Sequence, residues 1–432
     1  MPVVVSRRVR RRRRQVAAGA AVLLLLIIIL VATGGGPGPR STTTTTSTTP
    51  PGSPLSPAWR GSGQPVTMAF GGDVHFEGVL AARLQSDPAT ALDGTVATLV
   101  QGAQISMANF DSALTAGTCP DPQTKQYVWF APPTAITAFH SANLSLVTEA
   151  NTHGEDCGVP GLQQAIAAAD AAKFPVIGIG TAAAQAFAPY RVTLDGQRIA
   201  ILSATQVFDP TTLQPTWSAT ASQPGVASAV DPHDLVAAVQ AARRTSDTVI
   251  VYLTWGTETQ SCPNPQQGPL AAALVAAGAD IVIGSSAHVQ QGSGYLGQAL
   301  VSYNLGNLAF YDSAPPEDYS GTLVVTATGR HVDSFSWRPA LISGGLPQPL
   351  TGADATSAVQ RWQGLRSCTN LTATPRPSLA TAKTQTSVAA ALATPAPPAN
   401  TTTTTAHATT TTVHATTTTV HQATSTTAKK KS

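Results

Sequence analysis

Residues 66–78 read VTMAFGGDVHFEG, and the rest of the chain is understood from this stretch. Val66 to Phe70 is a run of apolar and β-branched residues, the pattern of a buried strand. Gly71 and Gly72 follow, free to turn sharply, and Asp73 and His75 come just past them. In open α/β sheets, ligands sit outside the carboxyl ends of strands. A carboxylate and an imidazole two residues apart at such a place suit one metal ion. Taken alone, the same pair also reads as a capping Asp and a surface His.

Four further stretches repeat the arrangement. Gln104 to Phe110 reads as a buried strand with Asp111 just beyond it. Leu144 to Glu149 reads as a third, followed by Asn151 and His153, with Glu155, Asp156 and Gly158 close behind. A strand in DTVIVYLTWGTE ends at Thr254-Trp255-Gly256, and one in DIVIGSSAHVQQG leads to His288. Helical patterns lie between them: residues 86–101, GLQQAIAAADAAKF, DPHDLVAAVQAARR and GPLAAALVAAGAD. Alternating strands and helices predict an α/β fold. YRVTL and RIAILSA read as a hairpin, FPVIGIG as one strand and VDSFSWRP as an edge strand; a last helix over 354–365 brings Cys368 near the domain. If the strands run in one sense, five polar strand ends converge on a single site.

The flanks differ in kind. Residues 1–15 are a basic segment with seven arginines, and 16–33 are an uncharged apolar run just long enough to span a bilayer. Basic residues ahead of the span place the N-terminus in the cytoplasm and the rest outside the cell membrane. An uncleaved single-pass anchor is the reading taken; a cleaved signal peptide is the competing one. Residues 34–63 and 372–432 are Thr/Pro-rich low-complexity tails, expected to be disordered. His407, His414 and His421 recur every seven residues, a metal-binding pattern or simply part of a stalk. That leaves 64–371 as the folded domain. All 22 acidic residues fall between 61 and 375, against 11 basic ones, a net charge of −11 that argues against nucleic acid as a partner.

Four cysteines in an exported domain predict disulfides. Three pairings exist among Cys119, Cys157, Cys262 and Cys368; the one favoured is Cys119–Cys157 with Cys262–Cys368, thiolate ligation being the minor alternative.

In order, GGDVHFEG, ANFDSAL, WFAPP, EANTHGEDCG, LTWGTE, GADIVIGSSAHVQQG and VSYNLGNLAFYD resemble the capsule-synthesis CapA family, which is associated with poly-γ-glutamate surface polymers. That family is in turn similar to calcineurin-like metallophosphoesterases. The resemblance covers about residues 64–313 and implies a two-sheet sandwich flanked by helices. It implies Asp73, His75, Asp111 and His288 as metal ligands with Asn151 nearby, and His153 as the proton donor to a leaving group. Two departures stand out: the family's HWG is Thr254-Trp255-Gly256, and its HPH is Ser286-Ala287-His288. Both lost imidazoles belong to the second metal of the calcineurin-like pattern, so one divalent ion (zinc, manganese or iron) is expected. Together with the apolar span, the resemblance leads to the expectation of a membrane-anchored, extracytoplasmic protein acting on a surface polymer, poly-γ-glutamate or a glycan. A metal-dependent phosphoesterase and a non-catalytic wall module are the alternatives.

Overall fold

The computed structural model describes residues 62–311 and 314–376. The basic segment, the apolar span 16–33, His407, His414, His421 and nearly all of both low-complexity tails lie outside them. Among the described residues no helix is long and apolar enough to cross a membrane.

The chain runs β1 (Val66–Val74), α1 (Gly78–Ser86), α2 (Asp93–Val100), β2 (Ile105–Phe110), α3 (Thr134–Ser141), β3 (Leu146–Thr148), α4 (Gly158–Ala172) and β4 (Val176–Ile177). There follow the hairpin β5 (Tyr190–Leu194) and β6 (Gln197–Thr205), α5 (His233–Arg243), β7 (Thr248–Thr254), α6 (Gln267–Ala277) and β8 (Ile281–Ser285). It ends with β9 (Ser293–Leu296), β10 (Ala299–Ser302), β11 (Asn307–Ala309), β12 (Tyr319–Thr328), β13 (His331–Ser343), β14 (Leu346–Pro349) and α7 (Gly352–Gly364).

Two large mixed sheets result. The first has the order β14-β13-β12-β1-β2-β3-β4, with β11 also beside β1; the second runs β9-β10-β8-β7-β6-β5. The strands that carry candidate residues are parallel to their neighbours in both: β1 with β2 and β2 with β3, then β6 with β7 and β7 with β8. Alternate side chains divide between two faces, because successive strand residues point to opposite sides. Val66, Met68 and Phe70 of the first sheet pack in one cluster with Ile199, Ile201, Ile250, Tyr252 and Ile283 of the second. Ala69, Ala108 and Phe110 turn the other way, onto Leu80, Phe139 and Leu162 of the helices. Leu202, Val251 and Leu253 likewise meet Leu235, Val239 and Leu274. Both faces of each central strand are therefore apolar, and each buried aliphatic side chain contributes about 1.5–3 kcal/mol.

Two local readings are corrected. The single helix expected over 86–101 is broken: α1 ends at Ser86, Asp87 caps a 3-10 turn over Pro88–Thr90 by accepting from the Ala89 N–H, and α2 starts at Asp93. Proline cannot donate the hydrogen bond a continuous helix needs there. FPVIGIG is split at Gly178, whose φ is +85°, into β4 and a two-residue strand Ile179–Gly180. VDSFSWRP, residues 332–339, pairs with β12 alone, as an edge strand does; Leu346–Pro349 covers only the last part of β13, Ala340–Ser343. The ordered chain also runs past residue 371: Thr372 pairs with Tyr295, and the Arg376 N–H donates to the Gly297 carbonyl.

Candidate functional site

Gly71 and Gly72 do not turn the chain: β1 runs through them to Val74, with a register shift between Phe70 and Asp73, and their missing side chains allow a close approach. A Cβ on Gly72 would stand 1.7 Å from the Gly306 carbonyl oxygen, and the Asp73 N–H donates to that oxygen at 3.0 Å. Asp73 is thereby fixed, wholly buried, between the carboxyl ends of the two sheets. Asn109 Nδ2 donates to its Oδ1 at 2.8 Å, and the Ser286 N–H faces both its oxygens at 3.2 and 3.0 Å. Ser286 and His288 hold φ of 83° and 58°, left-handed values that cost a non-glycine residue and that turn this loop onto the carboxylate. His288 Nδ1 lies 2.9 Å from Asn307 Oδ1 and 3.4 Å from Asp73 Oδ2. Burial pulls the His288 pKa down, but Asp73 and Asp111 outweigh it and push it up to about 10.

Asp111 follows β2 and is the unsatisfied member. Both its carboxylate oxygens are buried without a hydrogen-bond partner. Burial raises its pKa, His153 and His288 lower it, and Asp73 raises it, so the two acids and two imidazoles share one electrostatic neighbourhood. Asn151 is close by: its Nδ2 donates to Asn109 Oδ1 at 2.9 Å and to the Phe110 carbonyl at 2.7 Å, and its Oδ1 accepts from the His153 N–H at 2.8 Å.

His153 is held by a neighbour three residues on. Its Nδ1 lies 2.6 Å from Asp156 Oδ2. A carboxylate only accepts, so Nδ1 carries the proton and Nε2 is left for chemistry. Asp156 also takes the Lys125 ammonium at 2.8 Å and the Trp129 N–H at 2.6 Å. Lys125 donates in addition to the Thr152 carbonyl, and the Trp129 ring stacks on His153 with centroids 4.1 Å apart. Lys125 and Trp129 belong to a strap, residues 116–129, which the Cys119–Cys157 disulfide ties to the loop of His153. Cys262 pairs with Cys368, as favoured from the sequence.

The model of the family described as bacterial capsule synthesis protein PGA_cap matches residues 67–312. The chain belongs to the PGA_cap family. Capsule biosynthesis protein CapA of Bacillus anthracis is 29% identical over 230 residues, covering 52% of this chain and 54% of that one. PGA biosynthesis protein CapA of Bacillus subtilis (strain 168) is 28% identical over 177 residues, covering 41% and 45%. The match thus spans about half the length of these relatives. Among solved structures, the NAD nucleotidase of Haemophilus influenzae is similar with a TM-score of 0.37 and 14% identity, over 76% of this chain and 60% of that one.

The PGA_cap chain brings Asp73, Asp111, Asn151, His153 and His288 to one place. His75 sits to the side in an aromatic stack. Its ring lies 3.7 Å from Phe310 and 4.8 Å from Tyr311, with Trp129 edge-on at 4.7 Å. The Tyr311 N–H donates to its Nε2 at 3.1 Å, so a metal could take His75 only through the buried, unpartnered Nδ1. Burial, then His153 and His288, lower its pKa well below the usual value. As the side chains stand, no three His, Cys, Asp or Glu among the described residues are arranged to hold an ion. The donor chemistry at Asp111 nevertheless fits one, because two buried carboxylate oxygens have no hydrogen-bond donor to answer them. Thr254 Oγ1 and Ser285 Oγ are buried without partners beside the positions of the missing imidazoles. Lys125, Trp129 and the orienting role of Asp156 escaped the sequence reading. The i,i+3 spacing of His153 and Asp156 was the available signal; nothing marked Lys125.

Proposed function

We propose that this chain is a membrane-anchored, extracytoplasmic PGA_cap protein that acts in making or exporting a surface polymer, through a single-ion site with the calcineurin-like architecture. The observation that carries the reading is Asp111, a buried carboxylate without a partner facing the neighbourhood of Asp73 and His288. Asp73, Asp111 and His288 would hold the ion, zinc, manganese or iron, and His75 would join only through Nδ1. When bound, such an ion supplies polarisation of a phosphoryl or acyl oxygen and activation of water.

The chain's own part is proton transfer and placement. His153, with Nδ1 committed to Asp156, carries a proton at Nε2 to a leaving group. The stacked Trp129 ring and the Lys125–Asp156 pair fix the imidazole plane and shield it from water. Thr254 and Ser286 in place of two imidazoles favour a second reading, a polymer-binding wall module without catalysis.

Deleting the gene and measuring cell-surface polymer tests the function. Wild-type protein should restore the polymer, and Asp73→Asn or His153→Ala should not. Full restoration by both variants would leave the wall-module reading standing and remove the catalytic one.

A further inference from the structure

Away from the candidate site, a groove is lined by arginines. It has a volume of about 460 Å³ and lies along the hairpin of β5 and β6, where Arg191, Thr193 and Arg198 meet Thr245 and Ser246, which follow α5. The strand register explains the grouping. Arg191 pairs with Ala200 and Thr193 with Arg198, so the two arginines are diagonal neighbours on one face of the hairpin. Side chains so placed start about 7–8 Å apart. Arg191 Nη1 donates to Thr245 Oγ1 and to Ser246 Oγ, both at 3.0 Å. Both partners are neutral, so among the described residues the Arg191 charge has no carboxylate to answer it. Arg198 donates from Nε and Nη2 to the two oxygens of Asp247 at 3.1 and 2.8 Å, yet its side chain is 52% exposed. Both guanidiniums are held in place in advance, and a binder so held loses less freedom when a ligand arrives.

The lining sets what the groove takes. A guanidinium is a planar fork of donors that matches an oxyanion such as a carboxylate. Thr193 and Thr245 add hydroxyls beside the two forks. Two forks on one face suit two acid groups carried by the same chain. The domain's net charge of −11 does not forbid this. At physiological ionic strength charges are screened beyond about 8 Å, so a ligand in the groove meets the arginines first. Asp195, at the turn of the hairpin, is a nearby acid, and its carboxylate accepts from Gln104 Nε2. The groove is also remote from the candidate site. Arg198 stands near the start of β6 and Ser246 just ahead of β7, whereas the candidate residues follow the opposite, carboxyl ends. Seven residues of β7 at about 3.3 Å each separate the two by roughly 23 Å.

We infer that this groove is a holding site for an acidic polymer, with Arg191 and Arg198 taking its carboxylates at a distance from the candidate site. The inference rests on the surface-polymer reading above and adds to it a second contact. It is tested on the purified full-length protein by fluorescence anisotropy of a dye-labelled γ-glutamate decamer. The wild type should bind the decamer, more weakly as salt is raised. Arg191→Glu should weaken binding about tenfold or more, while Lys173→Gln, at an exposed lysine on α4, should leave it unchanged. Arg191 is exposed and bonds two hydroxyls, so Arg191→Glu should keep the wild-type melting temperature. No binding, or binding that Arg191→Glu leaves intact, overturns the inference. So does equal competition by inorganic phosphate or by phosphatidylglycerol vesicles, which would make the groove a general anion site. Cell-surface polymer in the deletion strain keeps the two readings apart. Polymer lost on deletion, with no decamer bound at the groove, removes the groove alone; polymer unchanged on deletion removes the surface-polymer reading, whatever Arg191 binds.

Discussion

At the scale of single residues, the site is a set of buried charges, two of them answered and one not. Asp73 has Asn109, Ser286 and His288, and Asp156 has Lys125, Trp129 and His153. Asp111 has no hydrogen-bond partner. Leaving a buried polar group unmet costs about 1–3 kcal/mol. Asp111→Asn leaves a polar group there but removes the buried charge, so it should raise the melting temperature of the metal-free protein while removing ion binding; a lower melting point would contradict this. Lys125→Met should do the reverse, lowering stability in chemical denaturation by about 3–5 kcal/mol, because it strips the counter-charge from a buried carboxylate. Glu149 gives a pH test. Its Oε1 accepts from the Leu114 N–H, and burial raises its pKa from 4.5 to about 8. The folded protein thus holds a proton that the unfolded chain releases above about pH 4.5. The stability this provides is complete below pH 4.5 and is lost as pH rises toward 8. Urea midpoints at pH 5 and pH 8 should differ less in Glu149→Gln than in the wild type, since the amide oxygen keeps the Leu114 bond and the titration is gone.

At the scale of elements, the strands were legible because burial on both faces writes an apolar run that few other structures produce. β2, β3 and β7 end where the sequence places them, within a residue or two, whereas β1 runs on past Phe70 to Val74. The pair Gly71-Gly72 reads as a turn, yet β1 continues through it to Val74, and the reason for the glycines lies elsewhere. The glycines admit the loop of Gly306 and Leu308, a contact more than 230 residues away in the chain, which no local pattern announces. Gly72→Ala should cost about 3 kcal/mol or more, measured as a lost or strongly shifted unfolding transition, since backbone rather than a flexible side chain stands in the way. The strap was illegible for a related cause. Residues 116–129 have no strand or helix period, and Lys125 and Trp129 gain their roles only through what Asp156 and the disulfide bring to them. His75 shows a contact that its spacing did not announce. Its spacing from Asp73 is right for a shared ligand, yet Phe310 and Tyr311 capture the ring, and those two lie far along the chain.

At the scale of the whole described domain, two mixed sheets carry their candidate residues at carboxyl ends that meet, and this convergence follows from parallel order more than from any one residue. The strand–helix alternation foretold it. The charge is uneven, acidic in the domain and basic in the flanks. The central claim is that loss of two imidazoles leaves a site for one ion. The most direct measurement is metal per chain by mass spectrometry, on full-length protein equilibrated with zinc, manganese or iron(II), beside Asp73→Asn/Asp111→Asn. The account predicts close to one ion per wild-type chain and none in the double variant; two per chain, none, or the same content in the variant would contradict it.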